Sequence, residues 1–206
     1  MKALEALNIL GDLCASQKGM FTTAQAQSMG VDRMAVSRLA HNGQLEQVIR
    51  GVYRVTAAPM FRGEDVYASW LALTPGIPAF DRPCDGSGFT ASLNTAAWLQ
   101  ELGELQAYPL VFSFPARRQS RTGIRFLRRE LPGSDIIIAA GVPVTTPGRT
   151  VLDLIDYGED LSLVASVLKY AEAHGVSENI AREVNERAAR CGFARGFDLY
   201  GYLKGR

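Results

Sequence analysis

The chain has 206 residues, 47% of them hydrophobic and 21% charged, an ordinary globular composition with room for one large domain or two small ones. Its net charge is only +1, so bulk charge does not nominate nucleic acid as a partner, and any such signal must lie in how the charge is distributed. Three cysteines without CxxC spacing argue against a disulfide framework or a zinc ribbon. No apolar run approaches the roughly 18 residues of a membrane span, and the opening MKALEALNILGDL lacks the basic n-region of a signal peptide. A soluble protein of a reducing cytoplasm, with no membrane partner, is expected.

Leu4, Leu7, Leu10 and Leu13, with Ala3, Ala6 and Cys14 beside them, predict a first helix over residues 3–15 that ends before Gly19. Thr22 and Thr23 offer capping hydroxyls to a short second helix in AQAQSMG, closed by Gly30. Asp32 can cap a third, RMAVSRLAHNG, stopped by Asn42 and Gly43. A tight glycine turn between the second and third helices matches a helix-turn-helix, whose last helix enters the major groove. Spacing turns Val31, Ala35, Val36 and Leu39 inward and keeps Arg33, Met34, Ser37, Arg38 and His41 together outside. Guanidiniums, a hydroxyl and an imidazole on one stripe suit base edges and phosphates. LEQVIRGVYRVT then predicts a hairpin, the wing, with Arg50 at its tip and Arg54 beyond it, both expected to reach a phosphate or a minor groove. A lone exposed arginine is usually just solvated; the order of three helices and an arginine-tipped hairpin carries the DNA reading.

Between residues 58 and 80 the chain loosens, with Pro59, Pro75, Gly76 and Pro78 around the helical segment GEDVYASWLAL. This places the boundary near Ala58, giving a winged helix-turn-helix at 1–57 and a second domain at 58–206 that includes this helix. A further helix is expected over 90–100, then strands YPLVFSF, GIRFLRREL and DIIIAAGVPVT. Three helices follow, in VLDLIDYG, LSLVASVLKYAEAHG and ENIAREVNERAARCG. The fold class is α+β, with a small mixed or antiparallel sheet and C-terminal helices in the second domain.

Arg117, Arg118, Arg121, Arg125, Arg128 and Arg129 crowd a stretch with no acidic residue before Glu130. Such a cluster can hold a nucleic-acid backbone or an acidic protein surface; the bland alternative is a solvated hairpin tip. Arg149 and Asp153 are four apart behind Pro147, the spacing of a structural salt bridge as much as of a site.

The segment FTTAQAQSMGVDRMAVSRLAHNGQLEQVIRGVYRV resembles the N-terminal domain of the AbiEi family, the antitoxin component of AbiE type IV toxin-antitoxin systems. The resemblance rests on Thr22 and Thr23, Gly30-Val31, Arg38-Leu39, Gly43-Gln44-Leu45 and Arg50-Gly51-Val52-Tyr53. A second stretch, GVPVTTPGRTVLDLI at 141–155, is similar to the family's C-terminal signature through Pro147, Arg149, Thr150 and Asp153. The resemblance implies a repressor of its own operon that binds inverted repeats in the promoter. It also implies that the C-terminal domain counteracts a nucleotidyltransferase toxin without a stable complex.

Catalysis finds little support. The two histidines, His41 and His174, suggest neither a triad nor a metal cage, and Cys14 and Cys191 sit in helical patterns as core residues. A restriction-like nuclease would need carboxylates and a lysine near residues 130–144, where Glu130 is followed by Leu131-Pro132 and Asp135 by isoleucines. No phosphate-cradling GxxxxGK[ST] is present. A non-enzyme without cofactor or metal is expected, with two alternatives open: a winged-helix repressor whose second domain senses a ligand, and a divergent nuclease.

Overall fold

The computed structural model describes residues 3–120 and 122–206, and the chain divides into two compact units, Met1–Pro83 and Cys84–Arg206. The first contains α1 (Ala3–Ser16), β1 (Met20–Thr22), α2 (Thr23–Ser28), α3 (Arg33–His41), β2 (Leu45–Ile49), β3 (Val52–Val55) and α4 (Glu64–Leu73). Ala6, Leu10, Leu13 and Cys14 form the apolar face of α1 and pack with Phe21, Ala26, Val31, Ala35, Val36, Leu39 and Leu45.

Local chemistry fixes how these helices start and stop. Thr22 and Gln25 make a capping box: the Thr22 hydroxyl accepts from Gln25 N at 3.1 Å, and Gln25 Oε1 accepts from Thr22 N at 2.8 Å. At the other end of α2, Gly30 adopts φ +84°. Val31 N then donates to Ala26 O at 2.8 Å and Gly30 N to Gln27 O at 3.0 Å, the paired bonds of a Schellman stop. Gly43 repeats that arrangement after α3, with Gly43 N on Ala40 O at 3.1 Å and Gln44 N on Leu39 O at 3.0 Å. Asp32 caps α3 by accepting from Ala35 N at 2.7 Å.

The wing is a three-stranded sheet in the order β1-β3-β2, antiparallel throughout. Three residues, all buried, are too few to show alternation, which is why spacing does not reveal β1.

The boundary falls after Pro83 instead of near Ala58, and α4 belongs to the first unit, where it packs on β1, β2 and β3. The Pro- and Gly-rich segment behind α4 is tied down through its backbone. Gln17 and Gln25 exchange amide bonds at 3.1 Å each way, Gln25 Nε2 donates to Ile77 O at 3.0 Å, and Gln17 Oε1 accepts from Ala79 N at 2.6 Å. The buried Arg82 guanidinium donates to the carbonyls of Trp70 (2.6 Å), Leu71 (2.8 Å), Thr74 (2.9 Å) and Ile77 (3.0 Å), satisfying the open C-terminal end of α4 and the loop beyond.

The second unit runs β4 (Thr90–Ala91), α5 (Leu93–Leu99), β5 (Leu110–Phe114), β6 (Ile124–Arg128), β7 (Ile136–Ala139), β8 (Val142–Thr145), α6 (Pro147–Asp156), α7 (Leu161–Ala173), α8 (Ile180–Asn185) and α9 (Leu199–Lys204). Its mixed sheet has the order β6-β5-β4-β8-β7, with β5–β6 and β4–β8 parallel and the other pairs antiparallel. Val111 and Leu127 from the sheet pack with Val151, Leu154, Val167, Leu168, Leu199 and Leu203 from the helices.

Three expectations change. DIIIAAGVPVT is two strands, reversed at Ala140 (φ +51°) and Gly141 (φ +86°), the backbone of a tight hairpin. Residues 90–91 form a strand before helix α5 begins at Leu93. The last expected helix stops at Asn185, continues as a 3-10 turn over Ala188–Cys191, and is followed by α9. Among the described residues no helix is long and apolar enough to cross a membrane.

Candidate nucleic-acid interface

On α3 the sides separate as spacing predicts. Ala35, Val36 and Leu39 are buried at 3%, 1% and 1% exposure, while Arg33, Met34, Ser37, Arg38 and His41 are all exposed. The helix packs its inner face on α1, α2 and β2, leaving the polar stripe on the opposite side.

The wing tip is clamped to the start of α2. Thr23 N donates to Gly51 O at 2.9 Å, continuing the β1–β3 ladder, and Gly51 holds φ +83° with Arg50 exposed beside it. A positive φ at this corner lets two short strands reverse.

Arg54 is the clearest correction to the expected site. It is 4% exposed; its guanidinium pairs with Glu46, donates to Ala58 O at 3.0 Å and lies 3.4 Å from the Glu64 carboxylate on α4. Burial alternates along β3, so Arg54 shares the inner side with Val52. It fastens the wing to α4 and cannot reach a duplex. The signal was the Val52-x-Arg54 alternation, but the partner Glu64 comes from a helix whose membership in this unit sequence spacing does not show.

In the second unit Arg117 and Arg118 are exposed beyond the end of β5, and Arg125 and Arg128 are exposed on the edge strand β6. Phe89 and Phe114 stack with centroids 4.2 Å apart, and the Arg118 guanidinium lies 5.4 and 5.6 Å from them. The Arg125 guanidinium lies 5.7 Å from Tyr157. Cation–π contact of this kind steadies a guanidinium through its face and leaves its N–H edge available. Arg121 lies outside the described residues.

Arg129, next in sequence to Arg128, points to the other side of the strand and leaves the exposed group. It donates to both carboxylate oxygens of Asp153 and, at 2.7 Å, to Ser113 Oγ. Asp153, 1% exposed, also accepts from Arg149 Nε at 2.8 Å, and Arg149 Nη1 reaches Asp135 at 2.7 Å. Burial pulls the Arg149 guanidinium down, but its bonds to Asp153 and Asp135 outweigh that and hold it above its ordinary value. These four charged residues and Ser113 join β5, the end of β6, the turn before β7 and α6. A polar cleft of about 570 Å³ beside them is lined by Thr146, Gly148, Arg149, Ser177, Glu183 and Arg187 among others; the ligand-sensing alternative would place its effector there.

His41 is exposed on α3, and His174 shares its Nδ1 with Tyr170 O at 2.8 Å. Burial pushes the Cys14 thiol up to about 11, and Cys84 and Cys191 are raised as well, the opposite of an activated nucleophile. Among the described residues no three His, Cys, Asp or Glu side chains gather as a metal site.

Comparison with known proteins places these two units. Residues 10–56 match a family model described as a transcriptional regulator, AbiEi antitoxin, and residues 89–200 match one described as the AbiEi antitoxin C-terminal domain. No curated protein matches the chain. Among solved structures, the RV2827C protein from Mycobacterium tuberculosis has a similar fold, with a TM-score of 0.54 over 98% of this chain and 81% of that one at 14% identity.

Proposed function

This chain belongs to the AbiEi antitoxin family, and on that premise we propose that it is a duplex-DNA-binding autorepressor whose second unit counteracts a nucleotidyltransferase toxin. The observation that carries the DNA reading is the division of α3: a buried side of Ala35, Val36 and Leu39, and an exposed side of Arg33, Ser37, Arg38 and His41. That stripe enters the major groove, and Arg50 on the wing takes a phosphate or the minor groove. Inverted repeats in its own promoter are the duplex it fills.

The second unit acts by binding and not by catalysis. The carboxylates nearest a nuclease arrangement, Asp135 and Asp153, are each engaged by arginine, so neither is placed to hold a catalytic cation. Arg117 and Arg118 supply the anion-binding surface through which the toxin, or the nucleic acid it acts on, is met, with Arg125 beside Tyr157 on the other face of the edge strand.

Arg38→Ala tests the assignment on a duplex carrying the chain's own promoter. A bidentate base contact is worth about 1–3 kcal/mol, so the shift midpoint should move accordingly; unchanged affinity in a folded Arg38→Ala protein removes Arg38 from the interface. Growth rescue of cells expressing a nucleotidyltransferase toxin, sought in the reading frame beside this chain's own, tests the antitoxin role.

A further inference from the structure

The stripe on α3 contains one side chain that a polar interface leaves unused. Met34 is 71% exposed near the start of the helix, at a position where Lys, Glu, Gln or Arg would serve an ordinary solvated surface as well or better.

Helix geometry shows what Met34 faces. Stepping about 100° per residue from Arg33 puts Ser37 at about 40°, His41 at about 80°, Met34 at about 100° and Arg38 at about 140°. The buried Ala35, Leu39 and Val36 fall at about 200°, 240° and 300°, so the outward direction lies at about 70°. Arg33 and Arg38 therefore stand on opposite flanks of the stripe, each with a side chain long enough to reach a phosphate or an outer base edge, while Ser37, His41 and Met34 straddle its centre. A helix in the major groove turns its flanks toward the two phosphate strands and its centre toward base edges, with its N-terminal residues contacting the bases. Among the groups those edges display, the apolar one is the thymine 5-methyl. An unbranched, polarisable thioether suits it.

We propose that Met34 is a specificity-determining residue that reads a thymine 5-methyl group in the major groove. The inference rests on the DNA-binding reading above and adds to it the identity of one base.

The test uses the full chain and duplexes enriched by it from a randomised pool. Each thymine of the enriched site is replaced in turn by deoxyuridine, which deletes the methyl and keeps base pairing and the hydrogen-bonding edge. One buried methyl corresponds to about a fourfold change in affinity, so wild-type protein should bind about fourfold more weakly when one particular thymine is replaced. Met34→Ala should bind the two duplexes alike, and Met34→Leu should keep the preference; exposure of the site keeps both variants folded, which their melting temperatures check. Equal affinity for thymine and uracil at every position in the wild type overturns the inference, as does an undiminished preference in Met34→Ala. If the wild-type chain enriches no duplex at all, the DNA reading falls and takes this inference with it.

Discussion

Helices α3 and α6 both carry a side-chain cap, from Asp32 and from Thr146, and both place arginine in the opening turn. In α3 the position four residues beyond Arg33 is Ser37, and the arginine stays exposed. In α6 the position four beyond Arg149 is Asp153, and the guanidinium is drawn inward onto two carboxylates. The same residue type is thus an outward-facing side chain in one unit and part of the framework in the other, and the difference lies in where the acids are. Removing the acid, or the arginine that serves it, should break this comparison where it holds.

The largest expected effect comes from Asp153→Ala. It leaves Arg129 and Arg149 partly buried without their shared carboxylate, and breaking such a pair costs about 3–5 kcal/mol. Denaturant unfolding followed in the second unit should show this loss, and a change under about 1 kcal/mol, the value of an exposed pair, would mean the network is ornamental. Arg54→Ala comes next: it strips Glu64 of its partner beside α4 and should cost about 2 kcal/mol, with the salt dependence of DNA binding unaltered. Arg50→Ala sharpens the contrast within one hairpin. Stability should stay within about 0.5 kcal/mol, while the slope of log affinity against log salt falls by about 0.9. The same fall of about 0.9 for Arg54→Ala would return that residue to the interface. The smallest effect on folding belongs to Arg117→Ala with Arg118→Ala, measured by the same slope. A fall of about 0.9 per contact places the segment on duplex DNA; an unchanged slope with lost toxin rescue places it on the toxin or the nucleic acid that the toxin acts on.

The inside and outside of α3 were legible because a nine-residue helix offers more than two turns of periodicity and both its ends carry capping residues. The wing was legible as a hairpin, but the direction of Arg54 was not, since a four-residue strand gives alternation without saying which side is covered. Arg129 was grouped with Arg128 for a related reason: neighbours in sequence lie on opposite faces of a strand. DIIIAAGVPVT hid its turn because Ala140 and Gly141 look like part of an apolar run. The membership of α4 was obscured because Pro75, Gly76 and Pro78 read as a linker, whereas carbonyls in and just before this segment are bound by Arg82 and the glutamines.

That last arrangement bears on how such proteins can trade parts. The stretch between the two family matches, residues 57–88, is anchored up to Pro83 by amide and guanidinium donors. A recombination breakpoint after the hairpin would leave a donor Gln17 and Gln25 facing a foreign loop, and a recipient with an orphaned α4. Chimaeras with relatives should fold when they splice past Pro83, so the first unit should be inherited together with its tail.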